Sequence, residues 1–210
     1  MARRERPPSP FRSPYAIMAV GASWGGVDAL SVLVKSLPSN WPLPIVIVQH
    51  QHAHSGTALE RILSRLTKLK VMDAEDKLEL NKGLICIVPA NYHLLAERDG
   101  TVSLSLEAPV NYSRPSIDVT FGSLAEEYGR RCIGVLLTGA NEDGVEGLRQ
   151  IRAQGGLTIA QCPDEAEVPI MPAAAIAAGV VDEILSLNEI VPYITKKCAM
   201  EKSDAVYSYR

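Results

Sequence analysis

Five short apolar runs recur along the chain at Ala16–Val20, Ile45–Gln49, Leu84–Val88, Ile133–Leu137 and Leu157–Ala160. Each is rich in β-branched residues and bounded by Gly, Pro or polar residues, so each reads as a strand buried on both faces. Between them, apolar residues fall at helical spacing: Val27/Leu30/Val34/Leu37, Leu59/Ile62/Leu63/Leu66, Val119/Leu124/Tyr128 and Val145/Leu148/Ile151. Strands that alternate with such helices form βαβ units. The expected fold is therefore α/β, a doubly wound, mostly parallel sheet with helices on both faces. One stretch breaks the alternation. Thr101–Leu106 has strict period-two patterning and Glu97-Arg98-Asp99-Gly100 supplies a turn before it, so His93–Ala96 and Val102–Leu106 are expected to pair as a small antiparallel hairpin.

With 210 residues, 47% of them hydrophobic, the chain can bury one substantial core. Residues 1–14, with four prolines among few apolar side chains, read as a flexible arm. A single domain is expected over 15–195. Helical patterning fades beyond Asn188, and 196–210 read as a C-terminal tail.

A net charge of −3, with both signs mixed throughout, gives no electrostatic footprint for nucleic acid. The basic opening Ala2-Arg3-Arg4-Glu5-Arg6 lacks the apolar core of a secretory signal, and no apolar run is long enough to span a bilayer. The cytoplasm is the expected location, without membrane insertion. Cys86, Cys132, Cys162 and Cys198 form no Cys-x-x-Cys pair and read as small hydrophobes rather than metal ligands or disulfides.

In open α/β sheets, ligands bind beyond the carboxyl ends of the strands. The first strand leads into Gly21-Ala22-Ser23-Trp24-Gly25-Gly26, the second into His50, and the fourth predicted strand into Thr138-Gly139-Ala140-Asn141-Glu142-Asp143-Gly144. A serine in a glycine-rich strand-to-helix turn is either a nucleophile or part of an ordinary phosphate or βα loop. A histidine and a carboxylate arriving at the same edge favour the nucleophile, because Ser23, His50 and Asp143 are the parts of a serine hydrolase.

Each candidate has a rival reading. His50, His52 and His54 could bind a metal at their i, i+2, i+4 spacing, but 51–56 has the composition of a loop. Asp143, followed by Gly144-Val145-Glu146, matches a capping box in which Asp143 would be the N-cap. Asp28 and Asp118 are alternative acids. The Thr138-Gly139 turn, with N–H groups at the start of the Ser23 helix, is the expected oxyanion hole. His93 and Arg114 could border the cleft or serve only structure. A lipase-type α/β-hydrolase is disfavoured by chain order, since in that fold the acid precedes the histidine.

Together these residues resemble the chemotaxis protein-glutamate methylesterases of bacteria, the CheB-type catalytic domains. The resemblance runs from about Ala16 to Leu187 and includes Gly21–Gly26, Gln49-His50, Val88-Pro89-Ala90-Asn91-Tyr92-His93, Arg114-Pro115-Ser116-Ile117-Asp118-Val119, Leu137-Thr138-Gly139 with Asp143-Gly144, and Met171-Pro172. It implies a serine carboxylesterase that hydrolyses glutamyl methyl esters on chemoreceptors, releases methanol, and in some members deamidates glutamines. It maps the Ser-His-Asp triad onto Ser23, His50 and Asp143. No cofactor and no metal are implied; the implied partner is a methylated chemoreceptor or related signalling protein. The chain departs from similar members at Trp24, where a small polar residue is common, and at Ala140, where methionine is common. Many members also carry an amino-terminal receiver domain. Too few residues precede Tyr15 for one here, so a stand-alone domain, unregulated or gated by a separate regulatory protein, is expected. A non-catalytic signalling module, with Trp24 filling the former pocket, is the alternative.

Overall fold

The structure, a computed structural model, describes residues 13–52 and 56–199. Nine strands are present among them: β1 (Ile17–Ala22), β2 (Ile45–Gln49), β3 (Lys70–Asp73), β4 (Leu84–Ile87), β5 (His93–Ala96), β6 (Val102–Ser105), β7 (Cys132–Leu136), β8 (Leu157–Gln161) and β9 (Glu183–Leu185). Six α-helices accompany them: α1 (Gly26–Ser36), α2 (Ala58–Leu63), α3 (Ile117–Tyr128), α4 (Val145–Ala153), α5 (Ile170–Ala177) and α6 (Leu187–Ala199). Seven strands form one sheet in the order β3-β4-β2-β1-β7-β8-β9, with every paired neighbour parallel. β5 and β6 form the separate antiparallel hairpin, paired from His93↔Ser105 to Ala96↔Val102, as the period-two patterning indicates.

Alternate residues of β1 feed two cores. Met18, Val20 and Ala22 pack on one face with Leu30, Leu33 and Val34 of α1 and with Ile190 and Ile194 of α6. Ile17 and Ala19 pack on the other with Ile117, Phe121 and Leu124 of α3, Leu148 and Ile151 of α4, and the hairpin's Leu94 and Val102. A strand sandwiched this way has no polar face to show, which explains its unbroken apolar run. Full burial of each large aliphatic side chain contributes about 1.5–3 kcal/mol.

Four elements depart from the sequence reading, among them α5, which none of the helical spacings covers. β3 and β9 lie at the sheet's two edges and are short. Neither has an unbroken apolar run, and only Val71 of β3 is buried. Helix α6 runs to Ala199 through Pro192, past the expected domain end at residue 195. It is held by one narrow stripe, Ile190, Val191 and Ile194, so the fading of apolar content after Asn188 does not mark its end. Residues 1–12 of the expected arm and 200–210 of the expected tail lie outside the described residues. No helix among the described residues is long and apolar enough to cross a membrane.

Candidate active site

Strand β1 lies between β2 and β7, and the chain winds away from it on both sides, through β2 on one and β7, β8 and β9 on the other. That point is where a doubly wound sheet opens a crevice at its carboxyl edge. Register fixes what arrives there. Ala22 pairs with Gln49 and Gly21 with Leu136, so Ser23 stands between His50 and Thr138. The His50 N–H donates to Ala22 O at 3.1 Å and the Ser23 N–H to Thr138 O at 3.0 Å. The chain then turns into α1 through Gly25, whose φ of 74° is a left-handed conformation that glycine adopts without strain. Ser23 itself is not among the positive-φ residues, unlike the strained nucleophile of a lipase-type elbow.

Ser23 Oγ lies 3.1 Å from His50 Nδ1, and His50 Nε2 lies 2.8 Å from Asp143 Oδ2. A carboxylate can only accept, so it fixes the proton on Nε2 and leaves the Nδ1 lone pair facing the serine hydroxyl. The imidazole is half-buried, whereas the Asp143 side chain has no exposure.

The buried carboxylate is fully occupied. Besides His50 it accepts the Ile117 N–H (2.7 Å), the Asp118 N–H (3.1 Å) and the Ser116 hydroxyl (2.9 Å). These are the unpaired donors at the start of α3, where the helix dipole also favours negative charge. Burial by itself would raise the Asp143 carboxyl. The bonds from His50, Ile117 and Asp118 outweigh it and hold the group below the ordinary carboxylate range.

The capping box does not form. Gly144, with φ of 103°, is the N-cap of α4 and uses no side-chain cap, while Glu146 pairs with Arg149 at 3.1 Å. Asp143 instead caps α3, because β7 delivers it against that helix. The α4 donors go to Asp118, whose Oδ1 accepts the Gly144 and Gly147 N–H groups, both at 2.8 Å. Burial pushes Asp118 up to about 6, with the neighbouring Asp143 charge adding to the shift against these two bonds. Neither alternative acid takes the place of Asp143: Asp118 is engaged with α4 and Asp28 is exposed on α1.

The Gly139 N–H is also not where the sequence puts it. It donates to Val168 O at 3.0 Å and is unavailable to an oxyanion. Among the described residues, the Trp24 and Gly25 N–H groups directly after Ser23 have no hydrogen-bond partner. Gly139 matters for its missing side chain: a Cβ there would stand 2.9 Å from Ser23 Cβ and 2.9 Å from Met171 Sδ.

The remaining histidines separate. His52 is exposed and His54 lies outside the described residues. Among the described residues no group of three His, Cys, Asp or Glu side chains is arranged to hold a metal ion. His93 is buried beneath the cleft rather than bordering it. Its Nδ1 accepts the Ser116 N–H at 3.2 Å and its Nε2 meets Ala108 O at 3.2 Å. Arg114 lines the cleft, and its Nη1 donates to Leu106 O and Glu107 O, both at 2.9 Å.

Two contributors escape sequence reasoning. Gln49 Nε2 donates to Ser23 O at 2.8 Å and to His50 O at 3.0 Å, tying together the backbones of nucleophile and histidine. A polar residue ending a buried strand is the only signal for it. Ser116 is the N-cap of α3 and the bridge to Asp143, as its Oγ accepts from Val119 N–H and donates to the carboxylate. Its place before an apolar helix advertises the cap but not the bridge.

Comparison with known proteins places the chain in a family. A family model described as CheB methylesterase matches residues 18–194. A Leptospira interrogans protein named as a candidate protein-glutamate methylesterase/protein-glutamine glutaminase is 46% identical over 176 residues, covering 84% of this chain and 91% of that protein. A protein-glutamate methylesterase/protein-glutamine glutaminase of Pseudomonas putida is 38% identical over 192 residues; the match covers 90% of this chain but 50% of that longer protein. The crystal structure of the Thermotoga maritima CheB methylesterase catalytic domain superposes with a TM-score of 0.84 at 32% identity, covering 87% of this chain and 98% of that one. The chain belongs to the CheB methylesterase family.

Proposed function

We propose that the protein is a protein-glutamate methylesterase in which Ser23 is the nucleophile, His50 the general base and acid, and Asp143 the orienting carboxylate. The observation that carries this reading is the unbroken chain Ser23 Oγ to His50 Nδ1 at 3.1 Å and His50 Nε2 to Asp143 Oδ2 at 2.8 Å. Ser23 Oγ attacks the ester carbonyl carbon while its proton passes to His50 Nδ1. The unengaged Trp24 and Gly25 N–H groups receive the developing oxyanion. Collapse of the tetrahedral adduct expels methanol, which takes the proton from His50 and leaves a glutamyl-serine ester. Water, deprotonated by His50, then attacks that ester, releases the glutamate carboxylate and restores Ser23. The same sequence on a glutamine side chain expels ammonia, in keeping with the second activity in the relatives' names.

The substrate is a methylated chemoreceptor or related signalling protein, met in the cytoplasm. Trp24 does not favour the non-catalytic alternative: it is 66% exposed at the rim of the cleft, rather than filling the space over Ser23. The decisive test is methanol release from a methylated receptor, with Ser23→Ala as the control. The variant should lose at least about three orders of magnitude in kcat. Its melting temperature should stay within a few degrees, since the change is small and lies at a loop. Retained activity in Ser23→Ala overturns the assignment, and a fluorophosphonate probe should label the wild-type serine alone.

A further inference from the structure

A strained turn stands beside the proposed active site. Val110 and Ser113 close it with two backbone bonds, the Val110 N–H to Ser113 O at 3.1 Å and the Ser113 N–H to Val110 O at 2.9 Å. Both residues between them have positive φ, 49° at Asn111 and 60° at Tyr112. That is the signature of a type I′ turn, whose first central position suits Asn and whose second suits Gly. Tyrosine in the second position is out of place, because a bulky L-residue in the left-handed region costs stability. Packing does not offset the cost, since Tyr112 is fully exposed. Strain held without a structural return points to a use elsewhere.

The surroundings of Tyr112 indicate that use. It lines an open cleft of about 410 Å³ with Trp24, His50, His52 and Arg114, so two exposed aromatic rings stand at the cleft that holds the general base. Among the described residues, none of those lining the cleft is acidic, although the chain as a whole carries a net charge of −3. A glutamyl methyl ester has only a few heavy atoms beyond its backbone and leaves most of such a cleft unfilled. Tyrosine and tryptophan offer wide, stiff contact surfaces at low entropic cost, and a guanidinium favours carboxylates.

We propose that Tyr112 and Trp24 are specificity-determining residues that grip the polypeptide on either side of the esterified glutamate, in a cleft that prefers an acidic protein segment over a free ester. This rests on the methylesterase reading above. The binding energy comes from flanking residues of the substrate rather than from the reacting group.

Tyr112→Gly separates function from structure, because glycine relieves the turn while removing the ring. The assay compares kcat/KM for a synthetic peptide carrying one glutamyl γ-methyl ester among unmodified glutamates with kcat/KM for N-acetylglutamate γ-methyl ester. In Tyr112→Gly the ratio of peptide to free ester should fall roughly tenfold or more, through KM for the peptide, while the melting temperature holds or rises. Tyr112→Phe, which keeps the ring, should keep the ratio within about twofold of wild type. A ratio unmoved in Tyr112→Gly, or equal losses on both substrates with a lowered melting temperature, overturns the proposal while leaving the methylesterase reading intact. Wild-type protein that hydrolyses neither substrate overturns that reading and this inference with it.

Discussion

Asp143 and Asp118 cap each other's helices. Asp143, on the loop before α4, accepts from the first N–H groups of α3, while Asp118, within α3, accepts from Gly144 and Gly147 of α4. The proposed catalytic carboxylate is thus one half of a crossed clasp between two helices. Its position follows from both helix ends at once.

The two acids titrate oppositely, and the clasp should carry a pH signature. Between the ordinary value of 3.8 and about 6, folded protein holds a proton on Asp118 that the unfolded chain has lost. Stability contributed by this group is therefore complete below that window and falls as pH rises through it. Asp118→Asn keeps an oxygen for the two N–H groups and removes the titration. Its melting temperature relative to wild type should climb between pH 4 and pH 7 and then level off. Parallel melting curves across that range would refute the assignment.

Asp143→Asn should damage both fold and chemistry. An amide brings N–H groups toward donors that need an acceptor and cannot hold His50 in the tautomer that leaves Nδ1 free. We expect kcat to fall by about 10⁴-fold and stability by roughly 2–4 kcal/mol. Chemical denaturation and methanol release, measured on one preparation, check both; Ser23→Ala should show the kinetic loss alone.

At Gly139 the smallest possible side chain is excluded by distance. The Cβ of Gly139→Ala would stand 2.9 Å from Ser23 Cβ, and Met171 crowds it from the other side. Overpacking of this kind costs about 1–3 kcal/mol. Displacing the nucleophile by even an ångström can cost on the order of 10²-fold in rate. Full activity in Gly139→Ala would mean that Ser23 tolerates a different position.

Gln49→Met retains length and burial while deleting the donors to Ser23 O and His50 O. Ser23 O keeps the Gly26 N–H at 2.9 Å, whereas His50 O loses the Gln49 donor, at a cost of roughly 1–3 kcal/mol. The kinetic effect should appear mainly in kcat, because the residue positions the two reacting groups and touches no substrate. A change confined to KM would contradict that role.

The central strands and the hairpin are legible from sequence because burial on two faces, or on one, leaves a pattern in the residues themselves. Edge strands such as β3 depend on a neighbour's free backbone groups, which no local pattern records. Ser23 and His50 are legible for a related reason, each standing one residue beyond a recognisable strand. Asp143 is found by the same logic, yet its local sequence suggests a bond to the helix that follows it. Only the tertiary arrangement shows that the nearer donors belong to α3, whose sequence lies well upstream. Gln49 is hidden because a glutamine at a strand end has many uses, and Tyr112 because a turn's handedness is a property of backbone angles.

Strand order has a consequence for how the site comes into being. Ser23 and His50 belong to the half of the sheet running from β1 to β3, Asp143 to the half running from β7 to β9, and β1–β7 pairing is the seam between them. A chain cut in the exposed Glu97–Gly100 turn would leave two pieces, each with part of the relay and neither with all of it. Esterase turnover on mixing such pieces would then be a direct reporter of the seam closing, a switch that reads assembly rather than stability.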